Sequence, residues 1–517
     1  MKRRLLQEEI TYSAAKDKEI NILHRLGYFE KQNQFIAELV GRATWIKGVI
    51  SHHLNIDPGK CDIADSANWF QGSFNLCIPV TIRDWSREQP GNRVLLRIPL
   101  PYKIGETFRP GNADEKIRCE AGTYAWLQEK HPSIPIPRLY GFSLSSGESF
   151  TAIDNLPFFA RCYHYLRRQV FIWVGRFIWP QHAILSRYIR HSPTAPAGPG
   201  PGYILIEYIE PNQGRMLSDT WLQNSNNTAL RATLFRSLAR ILLSLSHTPL
   251  PRIGSFIIDN NGLIILSNWP LTLEIQELEN EYIPTNILRN YTYSTSDSYL
   301  TDIVSLHNNR LLYQPNAIND GSDYIQQVTT LTAMRVSIPL FFRQELRRGP
   351  FIFSLTDLHQ SNIFVDQEWN ITSLVDLEWG CSLPVEMVHP PYWLTSQSIT
   401  TIDENKYKGV WTEFILILLQ EDNSYLTELR LSTIMSKGWE RGTFWYSLAI
   451  QSPTAIFHLF IDKIQGRLGH GKYSDDQYGL VMMYHWAFNT HDIFKRKVKE
   501  KEEYDKKLRD AFNVPEH

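Results

Sequence analysis

The stretch FIFSLTDLHQSNIFVDQEWNITSLVDLEW, Phe351 to Trp379, constrains this chain more than any other. Asp357 and Asn362, with four residues between them, stand in TDLHQSN, a polar run with neither helical nor strand period. The residues after it alternate as two strands do: NIFVD, a turn at QEWN, then ITSLVD. A hairpin brings its two ends together. Asp376, ending the second strand, is therefore expected beside Asn362 at the start of the first, with Asp357 just upstream.

An Asp, an Asn and a second Asp so placed suit phosphoryl transfer. A carboxylate takes the proton of the attacking hydroxyl, while an amide oxygen and another carboxylate hold magnesium on the nucleotide phosphates. The spacing matches the catalytic loop of protein kinases, and Asp376 stands where their metal-binding Asp stands. TDLHQSNIFVD followed by LVDLEW more closely resembles the aminoglycoside phosphotransferase and choline kinase branch of that superfamily, where the loop reads roughly HGDLHPGNIL and the metal Asp sits in an IDWE or IDFE setting. The resemblance implies Asp357 as catalytic base, Asn362 and Asp376 as Mg²⁺ ligands, and Glu378 as a further acidic group behind the metals. His359 lies where His is frequent in that loop, as a prop of the loop rather than a participant in the chemistry. The family's His-Gly before the catalytic Asp is here Leu355-Thr356, so its orienting hydrogen bond is absent or comes from another group. Without the resemblance, Asp and Asn in a loop are ordinary turn formers.

Upstream segments come in a matching order. NWFQGSFNLCIPVTI, Asn68 to Ile82, reads as a hairpin whose tip, Gly72, Ser73, Phe74 and Asn75, resembles the family's G-x-x-N phosphate-covering loop; by itself it is a turn. RVLLRIPLP is a buried strand with Arg97 inside it, and a buried cation needs a counter-charge. Glu120, opening the helix EAGTYAWLQEK, is the candidate. Kinases pair a strand Lys with a helix Glu here; Arg can grip a carboxylate and a phosphate together, although a purely structural Arg97–Glu120 pair is the alternative. IPIP within SIPIPRLYGF is a further likeness to the phosphotransferase family. YILIEYIEP, Tyr203 to Pro211, looks like the hinge between lobes, with backbone groups near Glu207 and Ile209 placed for adenine.

Around this core, residues 1–60 read as helical, with INILHRLGYF and FIAELVGRATWIKGVISHHL packing on the first lobe. An insertion at about 155–202 holds the basic, aromatic RCYHYLRRQ, the apolar QVFIWVGRFIW as an interface or buried helix, and the Pro/Gly tract SPTAPAGPGPG. LRATLFRSLARILLSLSHTPLP is a helix ended by Pro, SFIIDNNGLIILSN is a hairpin, and helical patterns alternate with loops beyond Trp379. The tail from Lys495 mixes both signs as a solvated helix does. His389 is structural.

The 517 residues, 43% hydrophobic with 15 Trp, 24 Tyr and 25 Phe, build a core easily. A net charge of −1 offers no nucleic-acid surface. Five scattered Cys with no metal spacing fit free thiols in a reducing compartment. Neither a signal nor a transit peptide is expected from MKRRLLQEEI, nor a transmembrane segment, so an intracellular, by default cytoplasmic, location is expected. The expectation is an α+β, two-lobed protein kinase-like fold. A helical extension (1–60) precedes a small β-rich N-lobe (61–210, including the insertion) and a large, mainly helical C-lobe (211–517). Its function would be transfer of the ATP γ-phosphoryl, with Mg²⁺, to a hydroxyl of an unidentified small molecule. The large fungal branch of the family, with its altered-inheritance-of-mitochondria protein 9 group, resembles the chain too, and that likeness alone suggests mitochondrial association. The departures at Arg97, Leu355 and Thr356 leave open a pseudokinase that binds nucleotide or a partner without transfer. A helical scaffold with no nucleotide site is the plainest alternative.

Overall fold

Strand-forming runs between residues 61 and 207 pair into one antiparallel sheet of eight strands. Its order is Tyr188–His191, Ser149–Ala152, Leu139–Ser143, Tyr203–Glu207, Arg93–Pro99, Asn75–Ile82 and Cys61–Ile63, with Phe70–Gln71 also paired to Asn75–Ile82. The computed structural model describes residues 2–6, 8–85, 91–178, 184–191, 200–422, 430–452, 454–468 and 475–514, and of 175–178 and 475–476 the backbone only. Most of the Pro/Gly tract, 192–199, and Trp179 at the end of the apolar stretch lie outside the described residues.

Alternation decides what each face of the sheet carries. Leu76 opposes Ile98, Ile78 opposes Leu96 and Val80 opposes Val94. These six are buried against Ile46, Val49 and Ile50 of the helix Ala43–Leu54. The intervening positions therefore face the other way, and among them Cys77 opposes Arg97 and Pro79 opposes Leu95. His53, fully buried at that helix's end, ties it to the sheet through Thr151 Oγ1 (2.8 Å) and Tyr203 Oη (2.9 Å).

The helix Asn112–Lys130 packs on the hairpin Ser255–Ile258 and Leu263–Asn268. It begins well before Glu120, because Asn112, Lys116 and Glu120 are polar residues on a buried face and hide the helical period. The approach is close: a Cβ on Gly122 would lie 2.5 Å from the Phe256 carbonyl oxygen.

Beyond residue 211 long helices are interleaved with small sheets rather than forming an all-helical body. Arg215–Met216, Ile363–Val365 and Ile371–Leu374 make one sheet, and Phe351–Leu355 pairs with Gly380–Pro384. Two buried clusters fill this part. One extends from Trp126 through Leu238 and Ile352 to Phe414; the other surrounds Trp269, Tyr299, Leu331 and Trp445.

Three expectations need correction. The first residues are not all helical, since Lys2–Arg4 and Glu9–Thr11 form a strand pair. Tyr28, Leu39 and Trp45 do share the sheet's buried cluster, but Leu5, Ile10, Ala15 and Ile22 lie against Tyr504, Leu508 and Phe512 of the last helix, Thr490–Ala511. That helix is consequently solvated on one side only, with Lys497 fully buried and its ammonium on the Gln314 carbonyl oxygen at 2.6 Å. In the insertion, the helix Phe158–Ile178 is amphipathic, but Phe159, Tyr163, Leu166, Val170 and Trp173 are exposed, so its described apolar stripe is not buried. No described helix is long and apolar enough to cross a membrane.

Candidate functional site

The strands Phe351–Leu355 and Gly380–Pro384 run side by side, ending on the pair Leu355 and Gly380. Everything between them, Thr356 to Trp379, is thus held out from a rigid base and folds back on itself. In the hairpin of Ile363–Val365 and Ile371–Leu374, the Asp366 carboxylate accepts from the amides of Glu368 and Asn370 across the turn. Val375 N–H donates to the Asn362 carbonyl at 3.0 Å, which closes the hairpin where the sequence places Asp376 beside Asn362. Asn362 Nδ2 donates to the Asp357 carbonyl at 2.9 Å. These bonds set Asp357, Asn362 and Asp376 together.

Three other groups brace the loop. Thr356 Oγ1 donates to the Trp379 carbonyl (2.7 Å), tying the start of the loop to the segment after Asp376. Trp393 Nε1 donates to the Leu358 carbonyl at 2.7 Å. His359 bonds within the loop, Nδ1 to Ser361 Oγ at 3.2 Å, and its ring packs near Trp393.

A cleft of about 580 Å³ opens between the sheet and this hairpin. Gly72, Ser73, Asn75, Arg97, Glu207, Ile209, Asn362 and Asp376 all line it, drawn from four distant stretches of chain. Its apolar walls are Leu95, Ile206, Met216, Phe364 and Val375. Phe74, expected at the tip of the covering loop, does not line it; the ring is 6% exposed and packs edge-on against Trp379 at 5.1 Å. A larger cavity of about 780 Å³, bordered by Pro132, Pro135, Pro137, Arg138, Arg161 and Arg187, lies elsewhere and holds none of these groups.

Charges meet at the back of the cleft. Arg97 Nη1 donates to Glu120 at 2.5 Å, and Nη2 reaches both Asp376 and, at 3.4 Å, Glu378. Lys116, on the same helix one turn before Glu120, bonds Glu378 and Asn75 Oδ1, the latter at 2.7 Å. Asn75 Nδ2 donates to Glu378 at 2.7 Å. Glu378 is therefore a buried partner of Lys116, Asn75 and Arg97 and does not itself line the cleft. Lys116 is a site residue that the sequence pattern does not single out. The i, i+4 spacing of Lys116 and Glu120 is the available signal, since one turn of helix puts both on one face.

Titration reflects this crowding. Burial, then the Asp376 carboxylate, push Asp357 up to about 7. Burial and Asp376 likewise push Glu378 up, against the pull of Lys116 and Arg97. Burial works against the charge of Arg97, but Glu120, Asp376 and Glu378 outweigh it and hold its pKa above the ordinary value. Two cations face three carboxylates, leaving one surplus negative charge before Asp357 is counted. The donor set fits a hard divalent cation: with Nδ2 turned to Asp357, Asn362 presents Oδ1, and Asp376 supplies a carboxylate. Mg²⁺ is commonly bound by one or two such groups plus substrate phosphates, so the lack of any cluster of three His, Cys, Asp or Glu ligands among the described residues does not count against it.

No family model matches the chain, and no curated protein does. Among solved structures, an ethanolamine kinase of Plasmodium vivax is 13% identical over 84% of this chain and 84% of its own, with a TM-score of 0.34, a likeness too low to fix the fold.

Proposed function

We propose that the chain is an ATP-dependent phosphotransferase of two-lobed, protein kinase-like architecture, acting on a hydroxyl of a small molecule. The eight-stranded sheet with the helix Asn112–Lys130 would be the first lobe, within residues 61–210, and residues 211–517 the second. The observation that carries this reading is one cleft receiving Gly72, Ser73 and Asn75, Arg97, the Glu207–Ile209 strand end, Asn362 and Asp376, with Asn362 Nδ2 bonded to the Asp357 carbonyl. The apolar walls from Leu95 to Val375 suit a nucleobase, and Arg97 supplies a cation for phosphates. Narrower membership of the fungal branch, and with it mitochondrial association, rests on sequence resemblance alone.

In this mechanism Asp357 accepts the proton of the acceptor hydroxyl, and its raised pKa makes it a competent base near neutral pH. Asn362 and Asp376 would hold Mg²⁺, which supplies charge neutralisation on the phosphate oxygens. Arg97, kept charged by Glu120, orients the nucleotide phosphates as an exchange partner for Asp376. Thr356 supplies the loop restraint for which the family uses His-Gly.

Mg²⁺-dependent turnover of ATP by the purified protein tests this. Asp357→Ala should lower turnover by about 10²-fold to 10⁴-fold, the usual worth of a placed base, while the thermal shift given by ATP and Mg²⁺ persists. Wild-type turnover in the variant removes Asp357 from the mechanism. The Arg97 ion pair with Asp376 favours a second reading, a pseudokinase, because it occupies a carboxylate that a metal needs. A nucleotide shift with no turnover selects that reading.

A further inference from the structure

A third cavity, of about 310 Å³, is bordered by Thr356, Asp357 and Leu358 of the same loop. Its wall also takes in Leu238, Ile241 and Leu242 of the helix Thr228–Ser246, the segment around Met387 and Tyr392, and the polar Ser354, Gln451 and Ser452. Among the described lining residues Asp357 alone is charged. His389 is neutral as well, its pKa lowered to about 4 by burial. The volume is at the low end of the range for small-molecule sites, about 300–1,000 Å³.

This lining discriminates among alcohols by chemistry. An acceptor with several ammonium groups would bring charges that no wall residue balances, because the one carboxylate must remain free to take a proton. A single quaternary ammonium would need an aromatic cage. The rings here are engaged elsewhere: Trp393 is 3% exposed and packs on Trp221, and Phe444 is 4% exposed and stacks on Tyr407. Tyr392 alone of the three is partly exposed. A polyol would lose its hydration against Leu238, Ile241 and Leu242, and would recover few hydrogen bonds, because Ser354, Thr356 and Ser452 in the lining are already bonded to the backbone of Ile352, Trp379 and Ala455. An apolar body with one hydroxyl meets no such cost.

We propose that this cavity takes an uncharged alcohol with a hydrophobic body, which lies against Leu242, Met387 and Tyr392 with its hydroxyl at Asp357, and that this alcohol is the phosphoryl acceptor. The acceptor role rests on the phosphotransferase reading above. In the transfer the alcohol O–H bond breaks and its proton passes to the Asp357 carboxylate. The oxygen bonds to the γ-phosphorus of ATP, the bond from that phosphorus to the β,γ-bridging oxygen breaks, and ADP leaves with the electron pair.

The test uses the full chain and three probes: 4-phenyl-1-butanol, choline and kanamycin. Binding is measured by calorimetry without nucleotide, and transfer from ATP is measured separately. The alcohol should bind at least tenfold tighter than either cation. Leu242→Asp should weaken the alcohol at least tenfold and narrow or reverse its advantage over choline. The nucleotide-induced thermal shift reports that the variant is folded; Tyr392→Glu takes its place if it is not. Choline or kanamycin binding as tightly as the alcohol, absence of alcohol binding, or indifference of the alcohol to both substitutions overturns the proposal. Alcohol binding that depends on Leu242 without phosphate transfer upholds the cavity's specificity and sinks the phosphotransferase reading, so the two failures are distinct.

Discussion

Lys116 and Glu378 form the most confined ion pair at the site, at 1% exposure each, and Asn75 bonds to both. Removing one member of a buried pair leaves the other charge uncompensated, which typically costs about 3–5 kcal/mol. Lys116→Met should therefore lower unfolding free energy by about that much in urea titration, and adding Glu378→Leu should restore part of it. These residues also mark the limit of the sequence. Asp357, Asn362 and Asp376 were legible because one short hairpin sets their geometry, and Arg97 because a cation inside an apolar strand demands a partner. The fate of Glu378 was not: its two-residue spacing from Asp376 says nothing about Lys116 and Asn75, which reach it from a distant helix and loop. Phe74 was misplaced for the same reason, since a tip residue can turn into the core when an aromatic such as Trp379 is waiting there.

At the scale of the element, the helix Asn112–Lys130 fixes the separation between the Arg97 strand and the hairpin Ser255–Ile258 and Leu263–Asn268, and Gly122 sets how near it comes. A methyl group there would meet backbone at the Phe256 carbonyl, and backbone cannot rotate away as a side chain can. Gly122→Ala should accordingly destabilise by about 1–3 kcal/mol despite Ala's better helix propensity, read as a fall in melting temperature. Should the melting temperature rise instead, propensity outweighs the contact. Buried apolar runs and tight turns, such as Arg93–Pro99 and Asn261-Gly262, could be read directly. Start points were harder, because polar residues buried by tertiary pairing erase the period that reveals a helix. Beyond residue 211, Arg215–Met216 and the pair Phe351–Leu355 and Gly380–Pro384 were hidden by their shortness, two and five residues, too few to establish a period.

For the whole molecule, the arrangement of the two chain ends decides stability away from the site. Tyr504, 3% exposed, accepts a hydrogen bond from Ile22 N–H at 2.9 Å, and Arg3 Nε donates to the Ala511 carbonyl at 2.6 Å. Tyr504→Ala should cost about 3–5 kcal/mol, as other large aromatic truncations do, and should speed amide exchange in residues 5–22 as much as in the last helix. Exchange that quickens in the last helix alone would show that the early segment is held by something other than this contact. Residues 5–22 were expected on the first lobe rather than on the last helix because amphipathic periods report that a face is buried, never against what.

The meeting of Leu5, Ile10 and Ile22 with Leu508 and Phe512 turns a linear polymer into something nearer a clasped bracelet. Neither residues 5–22 nor residues 504–512 can be altered as a neutral act, because whatever loosens one segment unfastens the other.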